Sequence, residues 1–206
     1  MDGIGYWLGA LFSGLLGVVG IRMEETPSYQ VVRSEGCIEL REYAPRLVVQ
    51  TRVEGSMEQG SSEAFNRLAG YIFGKNEAGR KVEMTAPVTM EPQSTRIPMT
   101  APVTMESSGE STLMQFAVPS RFDAASVPRP TDERITVREL PAERLAVIRY
   151  SGRLTGDNAR TNEKALREWM AAAHLEAAGP ARVAGYDSPF SLPFLRRNEV
   201  MIPVGS

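Results

Sequence analysis

The chain contains Ile38-Glu-Leu-Arg-Glu-Tyr43 followed by Arg46-Leu-Val-Val49, and it repeats this segment in altered form as Ile135-Thr-Val-Arg-Glu-Leu140 followed by Arg144-Leu-Ala-Val147. Both copies alternate apolar and polar residues, which is typical of strands with one buried face. Each copy then runs to a glycine and into a segment with helical periodicity. The repeat therefore predicts two β-β-α-β-β halves with both helices laid on antiparallel sheet, an α+β fold.

One helix is predicted in each half. In the first half, apolar residues recur at the helical spacing i, i+3, i+4 and i+7: Phe65, Leu68, Ala69 and Ile72. We therefore predict a helix over about residues 62–73, capped by Ser61 or Ser62 and ended by Gly74. The second helix is predicted over about residues 157–178, before Gly179-Pro180. Strands are predicted over residues 29–33, 37–43, 46–53, 181–186 and 198–204.

A second repeat is literal, since Met84-Thr-Ala-Pro-Val-Thr-Met90 recurs as Met99-Thr-Ala-Pro-Val-Thr-Met105. Alternation places the methionines, alanine and valine of each copy on one face and the threonines on the other. Pro87 and Pro102 have no backbone N–H to donate to a ladder. We therefore predict two edge or kinked strands, joined by a turn over residues 91–94.

The composition excludes several classes of function. The 206 residues carry 23 Lys and Arg against 25 Asp and Glu, a net charge of −2, so we expect no nucleic-acid partner. Cys37 is the only cysteine and His174 the only histidine. We therefore expect no disulfide within the chain and no zinc site built from cysteine and histidine.

Residues 1–22 are predicted to be a separate apolar element. Residues 3–21 carry no charged side chain, and a helix of that length spans about 28 Å, close to the thickness of the bilayer core. Tyr6 and Trp7 lie near one end, where interfacial aromatic residues occur. We expect an uncleaved membrane anchor, with a cleaved signal peptide and a soluble element as alternatives. The side of the membrane is left open, and the GxxxG pair Gly5 and Gly9 would support a weak homodimer.

Three blocks together carry a resemblance to a known family: the paired MTAPVTM segments, Phe116-Ala-Val-Pro-Ser120 and Arg196-Arg-Asn-Glu-Val200. The chain resembles the SOUL/haem-binding protein family over nearly all of residues 29–206, after a linker over residues 23–28. The resemblance implies a distorted antiparallel β-barrel flanked by two helices. It also implies that haem or another tetrapyrrole binds in an apolar groove beside the first helix.

The candidate site residues follow from this resemblance. The apolar stripe Phe65, Leu68, Ala69 and Ile72 would line the groove, although core packing alone also requires such a stripe. The propionate groups of a porphyrin need positively charged side chains at the rim of the groove. The basic residues near the helix are Arg67, Lys75, Arg80 and Lys81. Met84 and Met99 are candidates for a soft pocket wall or an axial ligand, with core packing as the alternative. His174 is a weak candidate for a metal ligand.

The terminal Arg196-Arg197 pair is predicted to be structural. Adjacent strand residues face opposite sides, so one arginine would turn inward to a carboxylate such as Glu83 or Glu139. Contact with a propionate of the ligand is the alternative.

The predicted function is reversible binding of a tetrapyrrole, as a membrane-associated carrier, buffer or sensor and not as an enzyme. One alternative is a GyrI-like sensor module for another amphipathic small molecule, because that class has the same duplicated architecture. A tetrapyrrole-modifying enzyme and a protein-interaction module are the remaining alternatives.

Overall fold

The computed structural model describes residues 25–77, 97, 100–108, 111–187 and 191–205. The helices are α1 (Met57–Ile72) and α2 (Gly156–Ala172), and a 3-10 turn covers Pro193–Leu195. The strands are β1 (Tyr29–Glu35), β2 (Ile38–Tyr43), β3 (Arg46–Glu54), β4 (Asn76–Glu77), β5 (Val103–Ser108), β6 (Ser111–Ala117), β7 (Arg129–Pro130), β8 (Ile135–Leu140), β9 (Glu143–Tyr150), β10 (Arg182–Gly185) and β11 (Asn198–Pro203).

The sheet shows the predicted duplication directly. Nine strands pair antiparallel in the order β1-β2-β9-β11-β10-β5-β6-β3-β8, while β4 pairs with β7. Without β1, exchanging the halves β2-β3-α1-β5-β6 and β8-β9-α2-β10-β11 gives the same strand order read from the opposite end of the sheet. The first strand of each half pairs with a strand of the other half: β2 pairs with β9, and β8 pairs with β3. The α+β prediction is confirmed, and the two halves form one sheet.

The predicted barrel is a half-barrel. The sheet curls, but β1 and β8 lie at its two ends, and among the described residues neither pairs with the other. The β2–β3 and β8–β9 connections run between these ends. Arg46 on β3 is thereby placed where it forms an ion pair with Glu143 on β9.

Both helices pack on one face of the sheet. The α1 core includes Leu68, Ile72 and Met105, and the α2 core includes Leu166 together with the partly buried Val183. Met105 and Val183 are cross-strand partners on β5 and β10, so their side chains share a face. The opposite face has its own cluster around Leu145, Val147 and Met201 and a set of charged side chains.

The helix ends differ from prediction. The first helix begins at Met57, after Ser56, whose N–H donates to the side chain of Gln59 (3.2 Å). The sequence predicted a later start because the first turn is mostly polar and does not continue the apolar periodicity of the helix. The second helix ends at Ala172, because His174 takes a left-handed φ of 56° and the N–H of Leu175 donates to Met170 (2.9 Å). Gly74, with φ 113°, ends the first helix as predicted.

The MTAPVTM strand is not an edge strand in its described copy. Strand β5 begins directly after Pro102, so the proline lies outside the ladder, and β5 pairs with both β10 and β6 next to the pseudo-two-fold axis. The hydroxyl of Thr100 donates to the carbonyl of Ala117. Residues 84–90 and Met99 lie outside the described residues.

The predicted anchor over residues 1–22, with Gly5 and Gly9, also lies outside the described residues. In the described part of the chain, neither helix has the length and apolar character needed to cross a bilayer.

Candidate functional site

Helix α1 carries an exposed apolar stripe along one flank. Phe65 is 36% exposed and Phe73, the C-cap residue, is 52% exposed, and Ala69, which is buried at 8%, lies midway between them. Residues four apart stack along the same side of a helix. The ring of Phe65 lies 5.6 Å from that of Phe116 on β6, so the stripe borders the sheet. We refer to Phe65, Ala69 and Phe73 as the α1 stripe.

The second helix has an ion pair at the equivalent positions. Each helix has one fully buried leucine, Leu68 in α1 and Leu166 in α2. Phe65 and Ala69 lie three before and one after Leu68, whereas Glu163 and Arg167 occupy those positions around Leu166. Glu163 and Arg167 form an ion pair at 2.7 Å. The pseudo-symmetry is therefore broken where α1 exposes apolar surface.

The remaining residues of the predicted groove lie deeper. Leu68 and Ile72 are fully buried in the α1 core cluster with Val49 and Phe116. In this arrangement they support the α1 stripe from beneath and present no open surface. Phe73, which lies four residues beyond Ala69, extends the stripe but falls outside the predicted set.

Arg67 lies on the opposite flank of α1. Its Nη1 donates to the hydroxyl of Thr51 (2.7 Å), its Nη2 forms an ion pair with Glu63, and its Nε lies 3.9 Å from Asp132. The hydrogen bonds from Arg134 lower the pKa of Asp132 to about 2, so this carboxylate stays charged. The Arg67 side chain is therefore held away from the α1 stripe by anionic partners.

Lys75 is a described basic residue whose side chain lies against α1 at Gly70. It follows the end of α1, and its N–H donates to the carbonyl of Gly70 (2.9 Å). Its side chain folds back along the helix, since a Cβ built on Gly70 would lie 3.2 Å from Lys75 Cδ. Arg80 and Lys81 lie outside the described residues.

The other ligand candidates are not brought to α1 in the described structure. Met84 and Met99 lie outside the described residues. His174 is exposed in the turn after α2, and Cys37 is exposed in the turn between β1 and β2, where a strand residue was predicted. Among the described residues, no group of three or more His, Cys, Asp and Glu side chains is arranged to hold a metal.

The second half carries another exposed apolar segment. The β10–β11 connection spans residues 186–197, whereas the equivalent β5–β6 turn has only residues 109–110. Leu192, Phe194 and Leu195 are exposed on it, Phe194 by 70%. The N–H of Gly152 donates to the carbonyl of Pro193 (2.8 Å), which ties this segment to the loop before α2.

Arg41 and Glu199 form the centre of a buried ionic cluster on the sheet face opposite the helices. Two hydrogen bonds, at 2.9 and 3.0 Å, join them. Tyr186 donates to Glu199 (2.6 Å), and Arg197 donates to it through two nitrogens (3.0 and 2.7 Å). Burial and the Glu199 charge raise the pKa of Tyr186. Arg197 thus faces inward, and its partner is Glu199 and not Glu139. Glu83, the other predicted partner, lies outside the described residues.

Comparison with known proteins agrees with the sequence motifs. The family described as "SOUL heme-binding protein" matches residues 24–203. Heme-binding protein 2 of Mus musculus is 31% identical over 176 residues, covering 81% of this chain and 78% of the mouse protein. Heme-binding protein 2 of Homo sapiens is 31% identical over 195 residues, covering 86% of this chain and 85% of the human protein.

Solved structures share the fold at low identity. The C-terminal domain of EcmrR is 13% identical with a TM-score of 0.60, covering 86% of this chain and 98% of that domain. A hydrolase from Listeria innocua is 8% identical with a TM-score of 0.58, covering 84% of this chain and 94% of that one. These likenesses show the duplicated α+β fold alone. Because the family match spans nearly all of the described chain, the protein belongs to the SOUL heme-binding protein family.

Proposed function

We propose that this protein binds haem or a related tetrapyrrole reversibly on the α1 stripe. The observation that carries the proposal is the difference between the helices: α1 exposes Phe65 and Phe73 on either side of the buried Ala69, whereas α2 carries the Glu163–Arg167 ion pair at the positions of Phe65 and Ala69. Core packing does not explain this difference, because both helices already bury a leucine beneath the flank. Family membership, and the relatives named for haem binding, support a tetrapyrrole as the ligand.

The stripe has the chemistry that a porphyrin needs. A planar macrocycle buries a large apolar face, and aromatic side chains spaced along one helix flank stack against such a face. Lys75 lies along the same helix and would meet a propionate at the rim. Arg67 is held on the other flank by Glu63 and Asp132.

An open surface suits a ligand that must be released. Among the described residues, no segment covers Phe65 or Phe73, so binding and release need no rearrangement of that part of the chain. We therefore favour a carrier, buffer or sensor role over catalysis.

We further propose that residues 3–21 anchor the chain to a membrane. Retention of the full chain in the membrane fraction after alkaline carbonate washing would support the anchor, and its release would contradict it.

The test is a titration of the full chain, in detergent, with haemin and with iron-free protoporphyrin, followed by Soret absorbance. The test variant is Phe65→Ser/Phe73→Ser. The control variant is Val31→Ser/Val32→Ser, which removes two similarly exposed apolar side chains from β1. We expect the α1 variant to weaken binding at least about tenfold and the β1 variant to change it less than twofold. Because all proteins share one detergent, partition of haemin into micelles cancels.

The sensor and enzyme alternatives each have their own outcome in this titration. Equal loss in both variants, or none in either, would contradict a site on α1. If neither tetrapyrrole shifts the Soret band while another amphipathic compound raises the Tm, the chain is a sensor for that compound. Progressive loss of the Soret band after binding would indicate a tetrapyrrole-modifying enzyme.

A further inference from the structure

We propose that the exposed apolar side chains Leu192, Phe194 and Leu195, on the connection between β10 and β11, insert into the surface of an anionic lipid bilayer. We refer to these three residues as the apolar turn. This second membrane contact rests on the proposed anchor over residues 3–21, and it shares no residue with the α1 stripe.

The apolar turn concentrates exposed hydrophobic surface within four consecutive positions. Seven large apolar side chains are exposed among the described residues, and three of them lie in this turn. Phe194 is the most exposed of the seven. The equivalent β5–β6 turn has only residues 109–110, so the duplicated fold does not require the longer connection. Adjacent exposed apolar side chains of this kind mark an interaction surface.

Hydrogen bonds hold the backbone of the apolar turn against the rest of the domain. The carbonyl of Pro193 accepts from the N–H of Gly152 (2.8 Å), in the loop before α2. The Nε of Arg196 donates to the carbonyl of Ser191 (2.9 Å). Phe194 is therefore presented outward by a fixed backbone. Little backbone entropy remains to be lost when a bilayer buries its ring.

Glu25 lies at the same end of the sheet as the apolar turn. Strand β10 ends at Gly185, which pairs with Val103 at the start of β5, so the β10–β11 connection leaves the sheet where β5 begins. The carbonyl of Glu25 accepts from the N–H of Ala101 (3.1 Å), two residues before β5. Ala101 also shares a buried cluster with Tyr186, the first residue of the β10–β11 connection.

The proposed anchor brings this end of the sheet to the membrane. Glu25 follows Ile21, the last residue of the anchor, by four positions. Four fully extended residues span at most about 14 Å, so Glu25 cannot lie further than that from the end of the anchor. With residues 3–21 in the bilayer, the β10–β11 connection therefore lies beside the lipid surface. Burial of Phe194 among the headgroups and upper acyl chains is then favourable.

The charge around the apolar turn favours anionic lipid. The β10–β11 connection and the loop before α2 together contain Arg153, Arg196 and Arg197 against Asp187. Arg197 forms an ion pair with Glu199 (2.7 Å), which leaves two arginines against one aspartate. Arg153 is exposed. Arginines beside an inserted apolar segment bind anionic headgroups, so we commit to a bilayer that contains anionic phospholipid.

The test places a nitrobenzoxadiazole fluorophore on the full chain, reconstituted in vesicles of phosphatidylcholine and phosphatidylserine. Cys37 is exposed, so every variant carries Cys37→Ser. Phe194→Cys takes the fluorophore at the apolar turn, and Glu176→Cys takes it at a control site. The carbonyl of Glu176 accepts from the N–H of Gly205 (3.0 Å), beyond the opposite end of β11. A nitroxide on the lipid acyl chains quenches a fluorophore that enters the bilayer.

We expect the lipid nitroxide to quench the Phe194→Cys fluorophore at least about threefold more strongly than the Glu176→Cys fluorophore. Adding Leu192→Ser/Leu195→Ser should lower the quenching at the apolar turn. Adding Val31→Ser/Val32→Ser, which removes two exposed side chains from β1, should not lower it. Replacing phosphatidylserine by phosphatidylcholine should also lower it, and unchanged quenching would contradict the preference for anionic lipid.

Equal quenching at the two sites would overturn the proposal. A blue-shifted Phe194→Cys fluorophore that the lipid nitroxide does not quench would also overturn it, because another segment of the chain or a second copy then covers the turn. Carbonate washing of the same vesicles tests the anchor separately. Retention of the chain with an unquenched Phe194→Cys fluorophore would reject the apolar turn alone. Release of a chain whose fluorophore was quenched would reject the anchor alone.

Discussion

The guanidinium of Arg41 on β2 and the carboxylate of Glu199 on β11 form two hydrogen bonds, at 2.9 and 3.0 Å, across the intervening strand β9. Arg41 is 2% exposed and Glu199 is 0% exposed. Because β2 belongs to the first half and β11 to the second, this pair joins the halves at the sheet face opposite the helices. Neither charge has water to replace its partner.

Glu199→Gln should lower the free energy of unfolding by about 3–5 kcal/mol, since it removes the fully buried carboxylate to which the buried Arg41 donates two hydrogen bonds. Glu39→Gln is the matched control. Glu39 bonds the same guanidinium at 2.6 Å but is partly exposed, so its loss should cost about 1 kcal/mol or less. Urea unfolding of both variants measures the difference. Equal effects of the two substitutions would contradict a central role for Glu199.

Stability should also fall at acid pH through Glu199. Burial alone raises the pKa of this carboxyl, but the hydrogen bond and charge of Arg41 outweigh burial and hold the pKa below 4.5. A lowered pKa in the folded state means that the contribution to stability is complete above about pH 4.5 and is lost as the pH falls through the folded value. As the pH is lowered from 5, the free energy of unfolding of the Glu199→Gln variant should therefore fall less than that of the unaltered chain. Parallel slopes in urea unfolding would show that other carboxylates dominate.

The duplicated architecture could be predicted because it depends on local alternation repeated at Ile38 and at Ile135. The exchange of strands between the halves could not be predicted, because pairing of β2 with β9 is a long-range contact that leaves no mark on local sequence. For the same reason, the edge alternative in the prediction of an edge or kinked strand is wrong for the described MTAPVTM copy. Pro102 does exclude an N–H from the ladder, but β5 starts one residue later.

The candidate site was only partly visible in the sequence. Periodicity located the apolar side of α1, but it could not separate the buried Leu68 from the half-exposed Phe65 beside it. Phe73 was missed because it lies at the helix end, where the periodic window stops.

Gly60→Ala should destabilise the protein by about 1–3 kcal/mol, although the same exchange in an exposed helix is usually stabilising. A Cβ at Gly60 would lie 2.5 Å from Cγ2 of Val53 and 3.2 Å from the carbonyl oxygen of Glu54. The close approach of α1 to β3 therefore requires glycine here.

Gly70→Ala is the control for this prediction. A Cβ at Gly70 meets only the flexible side chain of Lys75, with Cδ at 3.2 Å, so we expect stability to be unchanged or raised by up to about 1 kcal/mol. Thermal unfolding of both variants tests the sign. A stabilised Gly60→Ala variant would contradict the packing of α1 on β3.

Arg67→Gln should lower stability by about 1 kcal/mol and change haemin affinity by less than about threefold. The reason is that Arg67 bonds Thr51 and pairs with Glu63 on the flank opposite the α1 stripe. Lys75→Gln removes the positive charge that lies against α1. It should weaken haemin binding more than Arg67→Gln does. A tenfold loss in Arg67→Gln would instead place its guanidinium at a propionate and require it to leave its carboxylate partners.

His174→Gly should leave the Soret maximum and the haemin affinity unchanged, because the imidazole is exposed in the turn after α2 and the α1 stripe lies on the other helix. The same variant should raise stability by about 1 kcal/mol, since φ is 56° at this position and glycine adopts that conformation without strain. His174→Ala separates the two effects: it removes the imidazole but keeps a Cβ, so haemin binding should persist and stability should not rise. A shifted Soret band in both variants would identify His174 as an iron ligand. Because this turn follows α2, in the other half of the duplicated fold from α1, that outcome would move the tetrapyrrole site to the second helix.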